Sequence, residues 1–480
     1  MSSSPSEDSG QRGAPNFARI VEREAGLQRR LSARQLAMIA IGGAIGTGLF
    51  LGSGFAIGLA GPAVLISYAI GGLITLLVMR CLAEMTVAHP TTGSFGAWAE
   101  FYISPLAGFL VRAAYWAGVV LALGTEVSAI AVYMRFWFPV VNGFVWIAGF
   151  AVLLILVNAT SVRFFGVVEY TFSAMKVTAI CAFLFLGGYL ALHAGYAKDD
   201  SIGLHNYIAH GGFFPKGLWG MWVAVLVSLF SYFSIEMIAI AAGEAEDPKR
   251  AIQQAFRATM LRLALFYLGT LTLVLALVPW TITAAGAAQS PFVIVMQQTH
   301  LPAAAGVVNF VILAAALSAM NSQLYITARI LFSLSRGGLA PRALGKLSRN
   351  GVPVRALLCS TLGIAVAAVL NAWYRERAFQ LMLSLSIFGP MFTWLMVFVT
   401  HLFFRRHWGR RQLDFRMWGF PFTSILGIVL MSAALLTTLF TSAFRPTLIY
   451  GLPFLVLLSI GYFLALRRSG AARNAAVEEF

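Results

Sequence analysis

Three ionisable side chains stand inside long apolar stretches of this sequence. Glu126 lies in "LALGTEVSAIAVY", Lys176 in "FSAMKVTAICAFLF" and Glu236 in "SLFSYFSIEMIAIA". A charge buried in apolar surroundings is costly, so such a group pairs, binds backbone atoms or exchanges a proton. We therefore interpret all three as candidates for proton coupling. A purely structural role stays open for each, and for Glu236 it is the favoured one.

A second unusual feature is the glycine-rich run "GGAIGTG" at residues 42–48. Each glycine costs roughly 1 kcal/mol relative to alanine inside a helix, so the run favours a break. The helix that restarts after the break would present free N–H groups to a carboxylate. Carbonyl oxygens of Ala44 and Ile45, with those near Phe230 and Ser231 in another interrupted segment, could accept from an ammonium group. Together these groups could bind the carboxylate and the ammonium group of a free amino acid.

The elements that must position these residues are membrane-spanning helices. The chain has 480 residues, of which 59% are hydrophobic and 11% charged, and its mean hydropathy is +0.81. This composition predicts an all-α integral membrane protein, and about 20 apolar residues suffice for each span. Twelve spans are predicted, at roughly 36–59, 62–87, 105–134, 143–161, 166–194, 217–245, 256–280, 302–332, 354–372, 378–403, 421–443 and 446–466.

The distribution of basic residues predicts the orientation. More than half of the 34 Lys and Arg lie in the N-terminal region, after the eighth span, after the tenth span and at the C-terminus. Because basic residues concentrate on the cytoplasmic side, both termini are expected there, in the cytoplasmic (inner) membrane. The same loops explain the formal charge of +16, so nucleic acid is not an expected partner.

Enzyme and cofactor signatures are missing from the sequence. The three cysteines lie singly in apolar segments, which indicates neither a disulfide framework nor a metal site. HExxH, GxSxG and GxxxxGK[ST] do not occur. The expectation is a transporter without a catalytic centre or cofactor, and without an ATP-driven motor. Its energy source would be an ion gradient.

Two of the predicted spans, the first and the sixth, carry the interruptions. Between the start of the first span and the start of the sixth, the chain crosses the membrane five times. Because five is an odd number, the second five-helix unit would enter the membrane from the opposite side. Interrupted helices at matching positions of inverted repeats point to a binding site at the membrane midplane. The predicted organisation is a disordered cytoplasmic tail (1–35), a first repeat (36–195), a second repeat (217–403), two further spans (421–466) and a cytoplasmic tail (467–480).

Polar residues also form a stripe at helical spacing on the eighth span. The stripe consists of Ser318, Asn321, Ser322 and Tyr325. Such a stripe joins neighbouring helices through hydrogen bonds or lines a cavity. Both interpretations are open from the sequence.

Several segments, in order along the chain, resemble one family. They include "GGAIGTGLFLGSG", "FSYFSIEMIAIAAGEAEDPKRAI", "LSAMNSQLYITARILFSLSRGGLAPRAL" and "GVPVRAL". The chain resembles the amino acid transporter family of the amino acid/polyamine/organocation superfamily, which contains bacterial amino acid permeases. The resemblance implies a LeuT/APC-type fold with a five-plus-five inverted repeat and broken first and sixth helices. It also implies proton-coupled amino acid uptake.

The resemblance assigns roles to individual positions. It implies that substrate is bound by the backbone of one segment in the first span and one in the sixth, namely Ile45, Gly46, Thr47 and Gly48, and Phe230, Ser231 and Ser234. Glu126 matches an acidic position of the third span. Lys176 matches a lysine that takes the place of a sodium ion in sodium-coupled cousins, which favours protons as the coupled ion.

One position departs from the family pattern. Many relatives have glycine two residues before the acid of the sixth span, where this chain has Ser234. The additional hydroxymethyl group would narrow the side-chain pocket or add a hydrogen-bond donor. This favours a neutral amino acid with a small or polar side chain.

The leading hypothesis is a proton-coupled importer whose partners are a free amino acid, protons and the lipid bilayer. An exchanger of amino acids or amines is the first alternative. A transporter-like sensor that binds an amino acid and signals through its tails is the second. The sequence leaves the identity of the amino acid and the oligomeric state open.

Overall fold

The computed structural model describes residues 17, 20, 45–91, 93–197, 202–241, 263–284, 289–298, 303–374, 377–408 and 415–478. These residues are mostly helical and include no strand. The α-helices are α1 (Ser53–Ala60), α2 (Val64–Ala88), α3 (Ser94–Tyr102), α4 (Pro105–Arg135), α5 (Gly143–Thr160), α6 (Val162–Ala197), α7 (Gly217–Tyr232), α8 (Met237–Ala241), α9 (Thr270–Leu277), α10 (Trp280–Thr283), α11 (Pro291–Gln298), α12 (Ala304–Arg336), α13 (Val354–Ser360), α14 (Leu362–Trp373), α15 (Ala378–Ser386), α16 (Phe388–Trp408), α17 (Phe422–Phe440) and α18 (Arg445–Glu478). Two π-helices, Gly48–Gly52 and Leu263–Gly269, and three 3₁₀ helices, Gly61–Ala63, Leu204–Tyr207 and Arg342–Gly345, accompany them.

The prediction of an all-α membrane protein is confirmed. Within the described part of the chain, 10 helices are long and apolar enough to cross a membrane. One of these is the continuous stretch Gly48–Ala88, which contains residues 48–59 of the first predicted span and all of the second. The count of twelve stays a prediction, since residues 36–44 of the first predicted span and 256–262 of the seventh lie outside the described residues.

The structure adds elements that the hydropathy pattern did not predict. The helices α3 and α11 have 9 and 8 residues, too short for a search that looks for spans of about 20. Two predicted spans are each divided into two helices, at Thr361 and at Ile387. Phe17 and Ile20, which belong to the predicted N-terminal tail, pack against the protein: Ile20 is 3% exposed, and the ring of Phe17 lies 4.3 Å from that of His89.

The interrupted segments lie in the middle of the protein. In the most apolar window of Gly217–Ile240, 94% of the residues are buried, against 17% for Arg445–Ala465 near the C-terminus. The long helix α4 packs against α12, α14, α15 and α16, and α12 also packs against α6. A segment buried by protein on all sides can depart from helical geometry, because neighbouring helices satisfy its backbone groups.

Gly61 turns the chain between α1 and α2. Its φ is +63°, a left-handed conformation that glycine adopts without strain. A Cβ at this position would lie 2.2 Å from a ring carbon of Pro215. This turn therefore depends on glycine, and it returns the chain across the membrane directly after the first span.

Candidate functional site

The described part of the first span begins, at Ile45, between two buried groups of opposite charge. Ile45 and Gly46 are not helical, and the π-helix begins at Gly48. The Nζ of Lys176 donates to the carbonyl oxygen of Ile45 at 3.1 Å, and the N–H of Thr47 donates to Oε2 of Glu126 at 3.3 Å. An amino group thus satisfies a backbone acceptor, and a carboxyl group satisfies a backbone donor two residues later. In a continuous helix both backbone groups would pair within the helix itself.

Two glycines allow neighbouring elements to approach this stretch closely. A Cβ on Gly46 would lie 2.8 Å from both Oε1 of Glu126 and the Cβ of Ala319. A Cβ on Gly48 would lie 2.6 Å from the Cα of Ser231. Since carbon atoms normally touch at about 3.5–4.0 Å, any larger side chain would displace these neighbours. Gly46 and Gly48 therefore have a packing role.

The second interruption lies between α7 and α8, at residues 233–236. Ser234 has a φ of +73°, which is strained for a residue with a side chain. The carboxyl group of Glu236 accepts from the N–H of Ser234 at 3.2 Å, from the hydroxyl of Tyr115 at 2.5 Å and from Nε1 of Trp394 at 3.0 Å. Glu236 thereby ties the turn to α4 and α16.

Ser231 lies on the last turn of α7, facing the first span. Its hydroxyl is 3.0 Å from that of Tyr68, and its carbonyl oxygen accepts from the hydroxyl of Tyr267 at 2.8 Å. The carbonyl oxygen of Phe230 accepts a 3.3 Å bond from the N–H of Phe233. Each carbonyl has two lone pairs, so both can accept one further hydrogen bond.

A small cavity separates the two interruptions. Its volume is about 20 Å³, which is space for about one water molecule. The cavity is lined by Gly46, Gly48, Val119, Ala122, Glu126, Phe230, Ser231, Phe233, Ser234, Ala319, Gln323, Ser386 and Pro390. The space is too small for a free amino acid, so this arrangement is a closed one.

Most of the site residues predicted from the sequence meet at this cavity. Six of them line it: Gly46, Gly48, Glu126, Phe230, Ser231 and Ser234. Ile45 and Thr47 contact Lys176 and Glu126 from the adjoining backbone. Lys176 and Glu236 are buried behind the wall and do not line the cavity. Ala44 lies outside the described residues.

The structure also brings forward residues that the sequence interpretation missed. Gln323 and Ser386 supply polar groups to the cavity from α12 and α15. Glu169, on α6, is fully buried and lies seven residues before Lys176. That spacing places both side chains on the same face of a helix, a signal that was present in the sequence.

Glu169 and Lys176 both contact the polar stripe of α12. Ser318 Oγ accepts from Lys176 Nζ at 2.8 Å and donates to Glu169 Oε1 at 2.5 Å. Asn321 Nδ2 donates to Glu169 Oε2 at 3.0 Å. Neither Ser318 nor Asn321 lines the cavity. These two members of the stripe therefore join helices, one of the two interpretations that were open from the sequence.

Comparison with known proteins gives consistent matches over most of the chain. A family model described as "Amino acid permease" matches residues 35–472. The gamma-aminobutyric acid permease of Bacillus subtilis is 36% identical over 94% of this chain and 97% of that protein. A probable threonine/serine transporter of the same organism, YbxG, is 35% identical over 91% and 95%. The aromatic amino acid transport protein AroP of Escherichia coli is 35% identical over 93% and 97%.

Proposed function

The chain belongs to the amino acid permease family, a family of transporters rather than enzymes, and we propose that it imports a neutral amino acid together with protons. The protein would span the cytoplasmic membrane of a bacterium, with both termini in the cytoplasm as the basic loops indicate. Transport would proceed by alternating access, in which the small cavity enlarges to admit substrate from one side at a time.

One observation carries this proposal: Ile45 and Gly46 are non-helical, and the backbone from Ile45 to Thr47 is held between Lys176 and Glu126 at the edge of a buried cavity. The π-helix that begins at Gly48 directs its first N–H groups towards that region, where they suit a carboxylate. The free lone pairs of the carbonyl oxygens at Phe230 and Ser231 suit an ammonium group. The backbone of the two interruptions thus offers complementary ends for an amino acid.

The lining of the cavity favours a small or polar side chain. Many of the lining residues are Gly, Ala, Val or Ser, which leave room but little apolar surface for a large ring. Ser234, Gln323 and Ser386 add polar groups. The relatives named above are described as transporting γ-aminobutyric acid, threonine or serine, and aromatic amino acids, none of which carries a net charge at neutral pH.

Proton coupling is assigned to Glu126 and Lys176. Each contacts the backbone of the first span, so a change in the charge of either would alter the hydrogen bonds that hold residues 45–47. Gain or loss of a proton would therefore be linked to the geometry of the binding site. Glu236 has three donors around its carboxyl group, and we assign it the role of holding the second interruption in place.

Uptake into empty vesicles tests the proposal. Purified protein would be reconstituted without internal substrate, and a ¹⁴C-labelled mixture of the common amino acids supplied outside at acidic pH. We expect accumulation that disappears when an ionophore collapses the pH gradient. Unlabelled L-serine and L-alanine should compete more strongly than L-tryptophan. Uptake only after preloading with amino acids would identify an exchanger instead, and binding without accumulation a sensor.

Variants separate coupling from binding. Glu126→Gln and Lys176→Ala should lose accumulation driven by the pH gradient while retaining more of the exchange of internal for external substrate. Lys216→Ala is the matched control, because Lys216 lies outside the site and packs over the ring of Trp280. Equal loss of accumulation and exchange would assign the two residues to folding or binding and contradict the coupling role.

A further inference from the structure

A continuous hydrogen-bonded path leads from Lys176 away from the cavity. The hydroxyl of Ser318 accepts from Lys176 and donates to Glu169. All three side chains are fully buried. Glu169 lies about 10 Å along α6 from Lys176, at 1.5 Å per residue, in the direction of Val162, where that helix begins. The path therefore points to the membrane face that the basic loops predict to be cytoplasmic.

The remaining contacts of Glu169 are uncharged. Asn321 donates to its Oε2, and the hydroxyl of Ser173, one turn along the same helix, is 3.4 Å from its Oε1. Asn158 of α5 in turn donates to Asn321 at 2.7 Å. The neighbouring helix α9 carries no titratable side chain. The titratable group of the adjoining π-helix, Tyr267, contacts Ser231 instead.

The geometry points to a proton relay, and we propose that Glu169 receives the coupled proton from Lys176 through Ser318. The inference rests on the proposed function, since it extends the role assigned there to Lys176. It adds Glu169 as a proton-accepting residue and Ser318 as the group that connects the two. The acceptor lies nearer than Lys176 to the predicted cytoplasmic face.

The transfer balances without any other reactant. One N–H bond of the Lys176 ammonium breaks and its proton moves to the oxygen of Ser318. The O–H bond of Ser318 breaks at the same time, and that proton joins Oε1 of Glu169. An ammonium and a carboxylate become an amine and a carboxylic acid, so the net charge inside the membrane does not change. The neutral amine then holds the carbonyl of Ile45 less strongly, because hydrogen bonds from charged donors are stronger.

Two substitutions interrupt the path in different ways. Glu169→Gln removes the acceptor, and Ser318→Ala removes the bridge but leaves both charged residues. If Glu169 only balanced the charge of Lys176, Ser318→Ala would leave coupling intact. Ser173→Ala is the matched control, because it also removes a hydroxyl beside Glu169 but one that does not contact Lys176. Exchange of internal for external substrate serves as the second measurement, since it needs no release of the proton.

The assay uses full-length protein in vesicles and the ¹⁴C-labelled mixture of common amino acids. We expect Glu169→Gln and Ser318→Ala to reduce accumulation driven by a pH gradient by at least about tenfold, since a positioned proton-transfer group typically contributes roughly 10²–10⁴-fold. Their exchange rates, and both activities of Ser173→Ala, should stay within about twofold of the parent on the same scale.

Any result other than this selective loss of accumulation contradicts the relay. If the parent accumulates substrate but both variants do so equally well, the relay is wrong and the proposed function stands. Equal loss of accumulation and exchange in the variants would mean that Ser318 and Glu169 only position Lys176. If the parent shows no response to the pH gradient, both the relay and proton coupling are wrong.

Discussion

Gly48 offers a sharp test of whether the first and sixth spans must touch for transport. A Cβ at Gly48 would lie 2.6 Å from the backbone Cα of Ser231, about 1 Å closer than carbon atoms normally approach. Because the clash is with backbone, a side-chain rotation cannot relieve it. Gly48→Ala must push the π-helix away from α7, and the binding groups of the two interruptions move apart by a similar distance.

The cost can be worked out from that geometry. Forcing an extra methyl group into a packed interior costs about 1–3 kcal/mol. If this cost falls on the substrate-bound conformation, uptake efficiency should fall by about 5- to 150-fold, since 1.4 kcal/mol is a factor of ten. Gly52→Ala is the matched control four residues later in the same π-helix. Its Cβ would be 3.5 Å from a methyl carbon of Val227, an ordinary contact, and its φ of −59° suits alanine.

The assay is the initial rate of uptake of the labelled amino acid mixture at low concentration, which reports kcat/KM. Thermal unfolding of both purified variants would be measured alongside, to confirm that each is folded. We expect Gly52→Ala to transport like the parent and Gly48→Ala to lose most of its uptake. Equal rates for the two variants would refute the argument that close approach at Gly48 builds the site.

Three further changes test other parts of the site. Ser234→Gly should raise the free energy of unfolding by roughly 1–2 kcal/mol, because glycine removes the strain of φ +73°. The same change should let L-tryptophan compete better with L-serine for uptake. A variant with unchanged stability and selectivity would contradict both points. Glu236→Gln should reduce pH-driven accumulation and exchange together, because the carboxyl group anchors the turn between α7 and α8. Selective loss of accumulation would identify Glu236 as a coupling residue instead. Thr47→Val should leave the half-saturating concentration for uptake unchanged, since the contact with Glu126 is made by the backbone N–H; a large increase would reveal a role for the hydroxyl.

Several features of the site could be predicted from local sequence alone. Ile45 and Gly46, within the glycine-rich run, and the polar interruption near Ser234 lie where the structure leaves helical geometry, because glycine content and apolar length act within one segment. Glu126 stood out because no charged residue lies within eight positions of it, and Lys176 because it is the only lysine within the predicted spans. Family resemblance added the residue-by-residue roles, and the comparisons confirm the family.

Other features could not be predicted in this way. Helix α3 is too short for a pattern based on spanning length. Glu169 was overlooked although it shares a face of α6 with Lys176, because its bridge, Ser318, lies 142 residues beyond Lys176 along the chain. Which polar residues line the cavity, Gln323 among them, depends on how α12 is rotated about its axis, and many rotations are compatible with the same apolar content.

The sequence by itself determined that the chain is an all-α membrane protein and pointed to two segments that depart from regular helical geometry, because hydropathy and glycine content are properties of short segments. The tertiary structure alone decided what satisfies those interruptions. Lys176 donates a hydrogen bond to the carbonyl oxygen of Ile45, and Glu126 accepts one from the N–H of Thr47. Glu236 accepts hydrogen bonds from Tyr115 and Trp394. Such partners are far apart in sequence, and only the packing of buried helices brings them within hydrogen-bonding distance.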